Sequence, residues 1–83
     1  MKVQQVGSNQ TEVTLADGTC VLFSYDQPVA AIVPGKGWMR TAYKWSATTT
    51  KHINAWLRKH QGTHVIDGVA SVPQWDLDVL VCF

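Results

Sequence analysis

The sequence predicts an α+β fold: a small antiparallel sheet of four or five strands, packed against one main helix over about 48–61, with a short C-terminal helix. Three observations lead there. Residues 11–45 hold short β-rich runs separated by Asp17-Gly18, Pro28 and Pro34-Gly35. Residues 49–60 hold apolar side chains at helical spacing. The 83 residues are 46% hydrophobic and 16% charged without a low-complexity tract, which makes one domain over 1–83. A chain this short buries a modest share of its surface, and four tryptophans are a compact way to build its core.

Thr11 to Leu15 alternates, and a second run covers Thr19 to Tyr25. Asp17-Gly18 between them is a strong hairpin signal, because a type I′ turn needs positive φ at both central positions. A two-residue loop would pair Leu15 with Cys20 and Val13 with Leu22, placing these four on one face and Val21, Phe23 and Tyr25 on the other. Pro28 breaks the second run. Val29 to Val33 is apolar on both faces, as a covered central strand or a subunit contact is. Trp38 to Trp45 reads as a fourth strand. Met39, Thr41, Tyr43 and Trp45 share one face; Trp38, Arg40, Ala42 and Lys44 share the opposite, outer one.

Ser46 or Thr48 can N-cap the helix that follows. Thr49, Ile53, Trp56, Leu57 and His60 form its buried stripe, while Lys51, Ala55, Arg58 and Lys59 point away. Gly62 suits the C′ position, and the cations at 58 and 59 suit the dipole's negative end. Thr63 to Ile66 fits a short strand. The tail has two readings. Ser71-Val72-Pro73-Gln74 fits a capping box opening a helix over 72–82, with Asp76 and Asp78 early in it. Trp75, Leu77, Val79, Val81 and Phe83 also alternate as a strand would. The cap and the early proline favour helix.

The charge is sorted. Six of the seven basic residues lie between 35 and 60, a segment with no Asp or Glu, although the whole chain carries only +1. A local excess of this kind creates a field that the total hides. The partner-binding candidates are Lys36, Trp38, Arg40 and Lys44 on the outer strand face, and Lys51, Arg58 and Lys59 on the outer helix face. The plain alternative is that these cations only solubilise two faces, but a solvated face normally mixes signs.

Other chemistry has little support. His52 and His60 are eight positions apart on one helix, about 12 Å in rise, too far for one metal to bridge unaided. Cys20 and Cys82 form no CxxC to complete a site with these or with His64, so no metal and no cofactor is expected. No nucleophile-elbow or Cys/His signature surrounds Ser24, Ser46 or Cys20, and Gly35-Lys36-Gly37 lacks phosphate-loop spacing. The hydroxyls of Ala47-Thr48-Thr49-Thr50 have capping as their ordinary use. No enzyme activity is expected. Met1-Lys2 leads into VQQVGSNQTE without an apolar h-region, which points to a cytosolic chain with reduced, buried thiols. No apolar run approaches a membrane span, so no membrane partner is expected.

The segments LFSYDQPVAAIVPGKG and KWSATTTKHINAWL resemble a family of small proteins encoded by tailed bacteriophages. The shared pattern is a strand with Tyr25, the Pro28-Val29-Ala30 turn, and the Ser-x-Thr-Thr-x-x-His-Ile run of Ser46, Thr48, Thr49, His52 and Ile53. The resemblance covers roughly residues 22–57 and implies a phage origin and a host-cell cytoplasmic setting. It carries no activity. With the charge sorting, it leads to a non-catalytic accessory protein that binds a host protein with an acidic surface, and inhibits or redirects it. Direct nucleic-acid binding is the alternative, opposed by the neutral total charge and the lack of an RNP1, KH or zinc-finger signature. The two-sided apolar strands at 20–25 and 29–33 raise a third option, a homodimer.

Overall fold

The computed structural model describes residues 2–61 and 69–81. Strands β1 (Lys2–Gly7), β2 (Gln10–Thr14), β3 (Cys20–Ser24), β4 (Gln27–Val33) and β5 (Gly37–Thr41) are followed by helix α1 (Ala47–Gln61), strand β6 (Val69–Val72) and helix α2 (Gln74–Leu80). The fold is α+β. The strands lie in chain order in one six-stranded sheet. The first five pair antiparallel, and β6 pairs parallel to β5. The sheet is therefore mixed and larger than the expected antiparallel four or five strands. A strand that leaves β5 and returns beside it in the same direction needs a long crossover, and α1 lies in that connection.

Both sheet faces are covered. Leu22, Val29 and Ala30 pack with Ile53, Trp56 and Leu57 of α1, while Val21 and Ala31 pack with Leu77 of α2. Successive strand residues point to opposite faces, so β3 and β4 must be apolar on both sides to serve two helices. The apolarity of Val21 and Ala31 is thus accounted for within one chain. Pro28 sits where the β3–β4 register shifts: Leu22 opposes Ala30, and Phe23 opposes Pro28. The bulge accommodates a residue with no N–H to give to a ladder.

The β2–β3 hairpin differs from the expected one. The Leu15 N–H donates to the Thr19 carbonyl at 2.7 Å, and the Gly18 N–H to the Leu15 carbonyl at 3.0 Å. Only Gly18, at φ 92°, has the left-handed conformation; Asp17 does not. Instead its Oδ1 accepts the Thr19 N–H at 2.9 Å. That bond holds the Asp17 carboxyl below its usual pKa. The result is a three-residue loop with a bulge rather than a type I′ turn. Val13 therefore pairs with Val21, and Glu12, not Val13, pairs with Leu22. A one-residue slip turns every β2 side chain over, and it places Glu12 under α1.

Helix α1 begins where expected. Ser46 caps it, with Oγ accepting the Thr49 N–H at 3.1 Å. Thr49, Ile53, Trp56 and Leu57 are buried, and Lys51, Ala55, Arg58 and Lys59 are exposed; His60, expected in the buried stripe, is exposed instead, in the last turn. The expected Gly62 cap and the Thr63–Ile66 strand lie outside the described residues, as do His64 and Cys82. The tail is helical, but the capping box does not form: Ser71 belongs to β6, and α2 has no side-chain cap bond. Gln74 is engaged elsewhere, as shown below.

The fourth strand is shorter than expected. It ends at Thr41, so Tyr43 and Trp45 lie in the connection to α1. Its faces are also reversed. Trp38 packs against the α1 core cluster and Met39 against the α2 cluster. Trp38 and Arg40 thus look toward the main helix rather than outward.

Candidate functional site

The connection between β5 and α1 is tied down at several points. The Ala42 N–H donates to the Val72 carbonyl at 2.7 Å, joining it to β6. The buried Thr41 hydroxyl accepts the Tyr43 N–H at 3.1 Å and donates to Gln74 Oε1 at 2.7 Å. The same Oε1 accepts the Trp45 indole N–H at 3.0 Å. Gln74 Nε2 in turn donates to the Pro28 carbonyl at 2.6 Å and to Asp78 Oδ1 at 3.1 Å. One glutamine at the start of α2 thus fixes the loop, the β4 bulge and its own helix.

Between this loop and the first half of α1 lies an open cleft of about 810 Å³. Arg40, Lys44 and Lys51 line it, with Ile53 and Thr49 among its apolar and hydroxyl lining. Arg40 is oriented by a bond from Nη1 to Asn54 Oδ1 of 3.0 Å. Among the described residues, the one basic side chain within ion-pair distance of a carboxylate is His60, at Glu12, so these cations meet no carboxylate. Tyr43 and Trp45 stand at the cleft, 59% and 41% exposed, with ring centroids 4.6 Å apart. Tyr25 is also exposed, and borders a neighbouring hollow that Trp45 shares. Exposed aromatics beside unpaired cations are the side chains that most often anchor interfaces.

The seven sequence candidates are not brought to one place. Arg40, Lys44 and Lys51 converge on the cleft. Arg58 and Lys59 are exposed in the last turn of α1. Lys36 lies at the α2 side, in a hollow with Met39, Asp76 and Val79. Trp38 is half-buried under α1, its ring 6.2 Å from that of His60. Tyr43, Trp45 and Gln74 were missed. No local signal marks the end of β5 at Thr41, which is what moves Tyr43 and Trp45 from a strand face into an exposed connection.

The remaining polar clusters tie α1 to the sheet. Ser24 Oγ lies 3.2 Å from Thr49 Oγ1 and 2.9 Å from His52 Nδ1. Ser24 is only 2% exposed, and its hydroxyl links the end of β3 to the first turns of α1. At the other end of α1, Glu12 Oε1 accepts from the Trp56 indole at 2.8 Å and lies 2.8 Å from His60 Nε2. Burial pushes the Glu12 carboxyl up, but the hydrogen bonds from Trp56, His60 and Cys20 outweigh it, and the net shift is downward. Among the described residues, no helix is long and apolar enough to cross a membrane.

Gln74→Ala is expected to cost about 1–3 kcal/mol, because it leaves the buried Thr41 hydroxyl without its acceptor and the Pro28 carbonyl without this donor. Trp45 loses its tether in the same step. Denaturant titration together with a red shift of tryptophan emission checks both consequences.

Fold and cleft together define a class: a six-stranded α+β domain with a helix on each sheet face and a basic, aromatic-edged cleft at one end. The chain belongs to a family of unknown function, DUF8033, whose pattern matches residues 1–71. The match spans every residue that lines the cleft; Val72 and Gln74, which tether its loop, lie beyond it. No curated protein and no solved structure matches the chain significantly.

Proposed function

We propose that this chain is a small, non-catalytic accessory protein of bacteriophage origin. It acts in the host cytoplasm by binding a host protein with an acidic surface, which it inhibits or redirects. The phage origin rests on the resemblance of Tyr25, Pro28-Val29-Ala30 and the Ser46–Ile53 run. The observation that supports binding is the cleft, where Arg40, Lys44 and Lys51 meet no carboxylate among the described residues and Tyr43 and Trp45 are exposed beside them. Occluding another protein's site takes one standard interface of roughly 800 Å² per partner, within reach of a domain this size.

The second reading is nucleic-acid binding. The paired rings of Tyr43 and Trp45 beside Lys44 favour it, because exposed aromatic faces can stack on unpaired bases while cations track phosphates. Capture from a bacterial lysate with and without nuclease separates the two. Retention of one defined protein after nuclease treatment supports an acidic protein partner. Loss of all bound material on nuclease treatment supports nucleic acid and removes the first reading.

A further inference from the structure

The slipped β2–β3 register has a second consequence. Glu12 and Cys20 lie diagonally on adjacent strands, on the α1 face, and His60 in the last turn of α1 reaches down to them. The Glu12 carboxylate, the Cys20 thiol and a His60 ring nitrogen all lie within 4.8 Å of one another. The three come from three elements, and His60 is 40 positions beyond Cys20, so no local motif announces them. Thr14 Oγ1 donates toward Cys20 Sγ at 3.8 Å, and Trp56 holds Glu12 Oε1. The rings of Trp56 and Trp38 lie 4.7 and 6.2 Å from that of His60.

We infer that Glu12, Cys20 and His60 form a binding site for a divalent transition-metal ion of the zinc class. One oxygen, one nitrogen and one sulfur donor is a set that zinc accepts, and the softer thiolate selects against magnesium and calcium. The charges also balance: a carboxylate and a thiolate neutralise a dication in a half-buried setting. Bonds of about 2.0–2.3 Å to a tetrahedral ion put donors roughly 3.3–3.7 Å apart. Glu12 and His60 must therefore part slightly from 2.8 Å, and Cys20 must draw in. The side chains of His60 and Glu12 are 29% and 16% exposed, which leaves an entry path and a fourth position for water. The ion would pin the end of α1 to the β2–β3 hairpin. The proposal is independent of the cleft and its partner.

The test is a cobalt(II) titration of the reduced, chelator-treated 83-residue chain. The expected result is one ion per chain, with a near-ultraviolet thiolate-to-cobalt band and visible bands of tetrahedral intensity. Cys20→Ser abolishes the near-ultraviolet band. Glu12→Gln and His60→Gln each weaken binding at least about tenfold, and Cys82→Ser changes nothing. Zinc displaces the cobalt and raises the melting temperature of the parent chain but not of Cys20→Ser. Far-ultraviolet circular dichroism of the metal-free variants checks that each is folded. Absence of the thiolate band in the parent chain overturns the proposal. So does a band that survives Cys20→Ser or disappears with Cys82→Ser.

Discussion

Trp56→Ala is expected to leave the domain largely unfolded at room temperature. Trp56 is 2% exposed and lies at the centre of the α1 face, packed with Leu22, Val29, Ala30, Ile53 and Leu57. Removing an indole from such a site costs about 3–5 kcal/mol in lost transfer energy and residual cavity. Its N–H also donates to the half-buried Glu12 carboxylate, and losing that donor adds about 1–3 kcal/mol. Domains of ordinary size are stable by about 5–15 kcal/mol, and an 83-residue chain belongs toward the lower end. The combined loss is therefore comparable to the whole stability. Trp56→Phe separates the two contributions, since it keeps most of the ring volume and removes the donor. Urea titration followed by circular dichroism should show Trp56→Phe weakened and Trp56→Ala without a folded baseline. An Ala variant that melts within a few degrees of the parent chain would mean that the helix is held by something other than this face.

Elements with a strong period were legible in the sequence. Most of the α1 stripe could be read directly, because i, i+3 and i+4 spacing marks the buried side, although His60 is exposed and the structure had to choose Ser46 over Thr48 as the cap. The two-sided apolarity of β4 pointed to a covered central strand or a subunit contact, and the two helices make it the first. What failed depended on a single competing interaction or on distant chain. The Asp17-Gly18 pair has the composition of a two-residue turn, yet Asp17 uses its carboxylate to cap Thr19, and the register moves by one. No local pattern shows which of these wins. Strand β1 was not recognised, since KVQQVG lies at the sheet edge with mostly exposed side chains and no apolar face to signal it. Ser71-x-x-Gln74 has the right letters for a capping box, but Gln74 finds four partners in the loop, the bulge and its own helix. The candidate site was half legible for the same reason. The run of cations between 35 and 60 is visible in one dimension. Which of them share a cleft depends on where β5 stops, and on a reversal that puts Arg40 beneath α1. Glu12, Cys20 and His60 meet only because of the hairpin slip.

Reversing Lys44, Lys51 and Arg58 to Glu is expected to abolish partner capture while leaving the fold intact. All three are exposed, and none meets a carboxylate among the described residues. Each single neutralisation should change stability by no more than about 0.5 kcal/mol. Arg40 is left out because its bond to Asn54 makes it part of the β5–α1 contact, so its loss would mix folding with binding. Against an acidic protein, the reversed charges turn attraction into repulsion across the same geometry, so association slows and its salt dependence flattens or inverts. Against nucleic acid, each lost phosphate contact lowers the slope of log affinity against log salt by about one. Association rates measured at several salt concentrations, on whatever the parent chain captures, therefore read both the role of the cations and the kind of partner. If the triple variant folds normally and binds with the parent's affinity and salt slope, the charge sorting serves solubility alone. Binding would then have to rest on Tyr43, Trp45 and Tyr25, whose replacement by alanine would become the decisive substitution.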